Sequence, residues 1–192
     1  MNTAVGSIAP PTAGFLQISY LMRVLRKEKY MKRKFILVLA WLAVVAWMST
    51  IFALSAQTAD QSGDLSGSTA EKVLQQVYPG FSSLTDTKQH EIVENYQFAF
   101  RKTAHFSAYF LLSMLLFAAL RLSNVKMPSV AWLAFVISAL YAVSDEVHQL
   151  FVDGRSCRLL DIGIDAFGAF CAVGLILIIR SIVKRLRLKN NA

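Results

Sequence analysis

The sequence is poor in charged residues, which occupy 17% of its 192 positions. A soluble domain of this length would carry about a quarter of charged residues, whereas hydrophobic residues here reach 55%. The apolar residues also come in runs long enough to cross a bilayer. The composition therefore excludes an ordinary soluble protein and predicts an integral membrane protein.

Cysteine and catalytic signatures are also scarce. The two cysteines, Cys157 and Cys171, are separated by about 14 residues of predicted helix, roughly 20 Å along its axis, which is too far for a disulfide. The chain lacks internal repeats, the H-E-x-x-H metal spacing and the G-x-S-x-G nucleophile elbow. We expect no bound metal, no cofactor and no serine nucleophile of that type.

The net charge of +8 suggests nucleic acid as a partner, but the positions of the basic residues argue against it. Seven of the 20 lie between residues 23 and 34, and five more lie between 180 and 189. Basic clusters beside apolar spans indicate a cytoplasmic face next to anionic lipid. We expect membrane lipids as partners and no nucleic acid.

Four apolar segments have the length of membrane spans, at about 35–54, 103–120, 129–151 and 159–179. The predicted fold is an all-α integral membrane protein built as a four-helix transmembrane bundle. We predict three segments. Residues 1–30 form a basic N-terminal tail that is disordered or lies on the membrane surface, residues 31–183 form the four-span domain, and residues 184–192 form a basic cytoplasmic tail.

The start of the chain allows two alternatives. Residues 32–34, the apolar run and Ala53-Leu54-Ser55 resemble a signal peptide, but the run is longer than a usual signal core, which favours an uncleaved span. The sequence from Met31 is a more ordinary N-terminus for a membrane protein. The residues before it are therefore either translated or part of an over-long gene prediction.

The loops predict the orientation. The N-terminal tail, the 121–128 loop and the C-terminal tail hold 14 basic residues, whereas 55–100 carries six acidic residues against two lysines. The positive-inside rule then predicts both termini in the cytoplasm and 55–100 outside.

Residues 55–100 are predicted to form two amphipathic helices on the outer leaflet. The run from Ser68 to Glu71 has capping-box spacing and predicts the start of the first, and Pro79-Gly80 predicts its end. Thr85 predicts the start of a second helix that continues into the second span.

Polar residues collect where the predicted spans reach the outer face. On the second span and on the fourth span they recur at helical spacing, so each set shares one face. Ionisable groups at membrane depth are costly unless paired, and they are usually functional. We therefore predict an outward-facing polar pocket with ten ligand-binding residues: Lys102, His105, Tyr109, Asp145, Glu146, His148, Gln149, Arg155, Asp161 and Asp165.

Four motifs resemble those of the VanZ-like membrane proteins: IFALSAQ (51–57), RKTAHFSAY (101–109), DEVHQLFVDGR (145–155) and DIGIDAFG (161–168). The resemblance covers about 50–180. A proline often precedes the Gly-Arg pair in that family, and here the residue is Asp153. The resemblance implies a bacterial cell-envelope protein of the inner membrane, linked to glycopeptide (teicoplanin-type) antibiotic tolerance, but it implies no particular molecular activity.

The leading hypothesis is a pocket that binds an anionic lipid or a lipid-linked cell-wall precursor. Lys102, His105 and Arg155 would contact the phosphate. Four carboxylates would orient these groups: Asp145, Glu146, Asp161 and Asp165.

Two other hypotheses stay open. The first is a membrane-embedded hydrolase or transferase acting on a lipid headgroup, with four catalytic candidates: His105, His148, Asp145 and Glu146. The second is a scaffold that binds envelope proteins, in which the polar cluster only fixes the register of the helices. A metal site is disfavoured because Lys102 and Arg155 would compete for the carboxylates.

Overall fold

The computed structural model describes the backbone of residues 13–190 and the side chains of residues 20–190. This region is helical and contains no strand. Its elements are α1 (Ala13–Ser55), α2 (Ala59–Val77), a 3-10 turn (Phe81–Ser83), α3 (Asp86–Leu122), α4 (Ser129–Gln149) and α5 (Leu159–Asn190). Residues 13–30 of the predicted tail belong to α1, and residues 1–12 lie outside the described region.

Four of these helices are long and apolar enough to cross a membrane, and their bounds are Tyr20–Ser55, Asp86–Leu122, Ser129–Gln149 and Leu159–Asn190. The prediction of an all-α membrane protein with four spans is thereby confirmed. The side of the membrane on which each terminus lies stays a prediction.

The chain divides into two compact units, residues 1–39 and residues 40–192. In the first unit, residues 20–39 form one continuous helix whose side chains are almost all exposed. In the second unit, α3 packs against α2, α4 and α5. The functional residues discussed below all belong to this second unit.

Small residues allow the closest helix contacts in the second unit. A Cβ atom at Gly168 of α5 would overlap the backbone carbonyl of Phe106 on α3, so glycine is required for the two helices to approach this closely. Tyr109, Leu112 and Leu116 then fill the centre of the bundle from α3.

Within the second unit, residues 40–55 of α1 pack through few side chains. Trp47 Nε1 donates a hydrogen bond to the Ala108 carbonyl at 2.9 Å, and the Tyr141 hydroxyl donates to the Met48 carbonyl at 2.7 Å. Most other apolar side chains of this segment are exposed. An apolar exposed face of this kind is suited to lipid.

Helix α2 begins earlier than predicted. Its capping box joins Thr58 and Gln61: the Gln61 amide donates to Thr58 Oγ1 at 3.3 Å, and the Thr58 amide donates to Gln61 Oε1 at 3.1 Å. The predicted box at Ser68 and Glu71 is wrong, because Ser68 lies inside the helix and its hydroxyl donates to the Leu65 carbonyl. Thr58–Gln61 and Ser68–Glu71 both have capping-box spacing, but the chain turns only at Thr58.

The other predicted boundaries of the 55–100 segment are confirmed. Helix α2 ends at Val77, just before Pro79 and Gly80, and Gly80 adopts a left-handed φ of +79°. Helix α3 follows Thr85 and runs without a break into the second span. Whether these helices lie on the outer leaflet stays a prediction.

Candidate functional site

Two pairs of ionisable side chains join α3 to α5 at one end of the bundle. Lys102 forms an ion pair with Asp161, and both side chains are largely buried, with exposures of 15% and 13%. One helical turn further in, His105 Nδ1 lies 3.5 Å from Oδ1 of Asp165, whose side chain is fully buried. The two faces defined by helical spacing in the sequence therefore meet, and each basic residue faces one carboxylate.

Asp145 reaches the same region from α4, and a side-chain bridge links it to α1. Gln149 Nε2 donates to Ser55 Oγ at 2.9 Å and lies 3.4 Å from Asp145 Oδ2. All three residues are buried. This bridge connects the last turn of α4 to the last turn of α1 beside His105.

Glu146 serves the loop between α4 and α5. Its side chain is fully buried, and Oε2 accepts a hydrogen bond from the Arg158 backbone amide at 3.0 Å. In this arrangement the carboxylate anchors the loop, and it lines neither of the cavities described below.

The same loop packs on the beginning of α2. Arg155 Nε donates to the Gln57 carbonyl at 3.1 Å, and the Ala59 amide donates to the Asp153 carbonyl at 3.2 Å. Gly154 has a φ of +72°, and a Cβ atom there would lie 2.9 Å from the Ala59 Cβ. Glycine is thus required at position 154 for the tight contact between the loop and α2.

His148 does not join the other predicted site residues. Its ring stacks on Phe52 of α1, with centroids 4.3 Å apart. The ring lines neither cavity. Of the two predicted catalytic histidines, only His105 lies at the cavities.

Arg101 and Arg155 have no carboxylate partner in the described region. Among residues 20–190, no carboxylate oxygen lies within 4.0 Å of Arg101 or Arg155, and the buried Nε of Arg101 has no hydrogen-bond partner. Burial lowers the pKa of the Arg155 guanidinium, and the charge of Arg101 lowers it further. An arginine stays protonated even so, so two neighbouring positive charges face the site.

Two cavities meet at these arginines. The larger, of about 600 Å³, lies among α1, α2 and α3 and includes Tyr109 and Asp145 in its lining. The smaller, of about 100 Å³, lies at the loop and contains the Lys102–Asp161 pair. Three residues line both cavities: Arg101, His105 and Arg155.

Several buried polar atoms near the cavities have no hydrogen-bond partner within the described part of the chain. They include the Tyr109 hydroxyl, Asp145 Oδ1 and both carboxylate oxygens of Asp165. Such atoms cost free energy and each one needs an explanation. In residues 20–190 no three His, Cys, Asp or Glu side chains are arranged to hold a metal ion.

A sequence model of the VanZ/LLP1 family matches residues 15–180, which is most of the chain and contains all four motifs noted above. The chain belongs to the VanZ/LLP1 family. The resemblance predicted from the motifs is therefore confirmed. No curated protein and no solved structure matches the chain.

In this VanZ/LLP1 protein, two residues that the sequence did not predict as site residues lie beside the predicted ones. Arg101 precedes Lys102 in the second motif and lies outside the predicted set, although an arginine on the predicted outer face departs from the positive-inside rule. Ser55 was also missed. Helix α2 contributes a face to the larger cavity.

Proposed function

We propose that this VanZ/LLP1 protein binds the anionic headgroup of a lipid, either a membrane phospholipid or a lipid-linked cell-wall precursor. The observation that carries the proposal is the pair of arginines, Arg101 and Arg155, which lack carboxylate partners where the two cavities meet. Guanidinium groups bind phosphate oxygens through two parallel hydrogen bonds. A phosphate at this junction would supply the missing negative charge.

The neighbouring ion pairs support a division of roles. Lys102 is paired with Asp161, so its charge is largely balanced before any ligand arrives. We therefore assign Lys102 and Asp161 a positioning role, because they hold the α3 segment that carries Arg101. His105 is the third ligand-binding candidate, since it lines both cavities.

The proposed location is the outer face of the bacterial inner membrane. The polar cluster lies at the end of the bundle where α2 and the loop 150–158 meet, and the basic C-terminal residues lie at the other end of α5. The positive-inside rule favours the cytoplasm for those basic residues. A headgroup pocket on the outer face is positioned to meet cell-wall precursors, which would account for a link to glycopeptide tolerance.

Thermal unfolding in detergent micelles tests the binding proposal. Phosphatidic acid is expected to raise the melting temperature of the purified protein, because a ligand that binds only the folded state stabilises it. Phosphatidylcholine is the neutral comparison. Arg101→Gln and Arg155→Gln should each remove the shift, whereas Arg180→Gln, an exposed arginine of α5, should keep it. Equal shifts with both lipids, or an unchanged shift in both site variants, would contradict the proposal.

A cellular measurement tests the link to tolerance. Teicoplanin tolerance and the membrane abundance of the protein are measured together for the Arg101→Gln and Arg155→Gln variants. We expect tolerance to fall at normal abundance. A loss of tolerance that only follows a loss of protein would argue for a structural role of these arginines.

The His105–Asp165 pair favours a second candidate function, an enzyme acting on a lipid phosphate. A buried carboxylate next to one ring nitrogen orients a histidine and stabilises its protonated form, as a general acid–base catalyst requires. Release of phosphate from phosphatidic acid by the purified protein is the test. Turnover that disappears in His105→Asn and falls in Asp165→Asn would support an enzyme, and absence of turnover by the wild type would reject it for this substrate.

A further inference from the structure

The larger cavity is lined mainly by three helices, α1, α2 and α3. On α1 and α2 the lining residues recur at i, i+3, i+4 and i+7, so each set forms a single stripe. The α1 stripe is Trp47, Thr50, Ile51 and Leu54, and the α2 stripe is Ser62, Leu65, Ser66 and Thr69. The α3 stripe, across from α1, includes Phe100, Ala104, Ala108 and Leu111. The cavity exists because the small side chains among these α2 and α3 residues leave the space between the helices unfilled.

The cavity has a polar end and an apolar end. Arg101, His105 and Arg155 lie at the polar end, and the α1 stripe leads away from them to Trp47. The hydrogen bond from Trp47 Nε1 to the Ala108 carbonyl joins α1 to α3 at the far end. From Leu54 to Trp47 the apolar part extends for about 10 Å, at 1.5 Å per helical residue.

We propose that this apolar part binds one hydrocarbon chain of the lipid whose phosphate lies at Arg101 and Arg155. The inference rests on the proposed function, which concerns the headgroup, and it adds where the hydrocarbon part of the lipid binds. The volume of about 600 Å³ is that of a small-molecule pocket. Continuity with two unpaired positive charges favours an amphipathic anion over a neutral apolar molecule.

The chain site would contribute selectivity more than affinity. A hydrocarbon chain is as well solvated by the surrounding lipid as by apolar side chains, so its transfer into the cavity gains little free energy. The headgroup contacts would hold the lipid, and the length and width of the apolar part would decide which lipids fit. Lipids with the same phosphate but bulkier chains should then bind less well.

Fluorescence of Trp47 tests this inference directly, because its indole lines the apolar part. The protein has three tryptophans, and a variant with Trp41→Phe and Trp132→Phe keeps only Trp47. The protein is placed in phosphatidylcholine nanodiscs that contain a small fraction of a lipid with brominated chains, which quench indole fluorescence on contact. In one sample the brominated lipid is phosphatidic acid, and in the other it is phosphatidylcholine. A second variant, Trp47→Phe and Trp132→Phe, keeps only the exposed Trp41 and reports bulk lipid.

We expect the brominated phosphatidic acid to quench Trp47 steeply and to saturation, with loss of that quenching in Arg101→Gln. Trp41 should respond equally to both brominated lipids. Equal, unsaturated quenching of Trp47 by the two lipids would overturn the chain site. This measurement needs no cavity-filling substitution, so it stays decisive even where such a variant fails to fold.

A filling variant separates the chain site from the headgroup site. Ala104→Phe narrows the apolar part, and Ala118→Phe adds the same ring at an exposed position of α3 that lines neither cavity. Loss of the saturable quenching in Ala104→Phe alone supports the proposal. If phosphatidic acid raises the melting temperature of the wild type but its brominated form leaves Trp47 unquenched in the protein that keeps Ala104, the headgroup site is supported and the chain site is wrong. If it does not stabilise the wild type at all, the proposed function itself fails.

Discussion

The carboxylate of Asp165 is fully buried next to His105, with its Oδ1 3.5 Å from the histidine Nδ1. One turn nearer the loop, the Lys102–Asp161 pair repeats the same relationship between α3 and α5. Together the two pairs fix the register of these helices and present His105 to both cavities. Arg101 and Arg155, which line both cavities, lie in no such pair, so their positive charges are available to a ligand.

The Lys102–Asp161 pair should be structurally important. Lys102→Met leaves a largely buried carboxylate without its partner, which is expected to cost about 3–5 kcal/mol of unfolding free energy. The double variant Lys102→Met with Asp161→Leu should recover most of this loss, because both charges are removed together. Unfolding in mixed micelles measures both values.

Additive losses of unfolding free energy would contradict this role. If the double variant were as unstable as the sum of the two single variants, the pair would contribute no coupling energy. The positioning role of Lys102 would then have to be abandoned.

The contact between Gly168 and Phe106 predicts a position-specific effect of adding one methyl group. Gly168→Ala should destabilise the protein by about 1–3 kcal/mol, because the new Cβ overlaps the Phe106 backbone and the helices must separate. Gly174 lies on the same helix, and a Cβ atom there would meet open space, so Gly174→Ala should be neutral or gain about 0.5–1 kcal/mol. Equal thermal stability of the two variants would show that the close approach is unimportant.

The start of α2 offers a test of the corrected capping box. Thr58→Ala removes the side-chain acceptor of the Gln61 amide and should cost about 1 kcal/mol of local helix stability. Hydrogen exchange at the first turn of α2 would report the loss as faster exchange. Ser68→Ala, at the box expected from the sequence alone, should leave that exchange unchanged, and the opposite pattern would place the helix start at Ser68.

The orientation of the bundle is testable with reporter fusions. An enzyme active only in the cytoplasm, fused after Ala192, should be active, and one active only outside should be silent. A second fusion inserted in the loop at Asp153 should show the reverse pattern. An external signal from the C-terminus would place the polar pocket on the cytoplasmic side and would exclude binding of outer-leaflet lipids.

Much of the fold was accessible from the sequence, because apolar runs of membrane length admit few alternatives. The facing of Lys102 and His105 towards α5 also followed from helical spacing, which places residues three or four apart on one side. Spacing alone does not decide which carboxylate meets which cation, so the sequence predicts Lys102 as a phosphate contact and leaves Arg101 outside the ligand-binding set. That choice depends on the approach of α3 and α5 at Gly168.

Local signals were less decisive in the 55–100 segment. Two stretches, at Thr58 and at Ser68, have capping-box spacing, and only the turn that follows α1 selects the first. The cavity among α1, α2 and α3 was also inaccessible, since it depends on how three helices are spaced and on the small side chains that they place opposite each other. His148 shows the same limit, because its stacking on Phe52 requires α1 to lie beside α4.

Native mass spectrometry of the protein released from micelles that contain equal amounts of phosphatidic acid and phosphatidylcholine tests the headgroup site most directly. We expect the wild type and Arg180→Gln to retain one phosphatidic acid in preference to phosphatidylcholine. Arg101→Gln and Arg155→Gln should lose that preference. Retention of both lipids in equal amounts by the wild type, or an undiminished preference in the two site variants, would contradict an anionic headgroup site at these arginines.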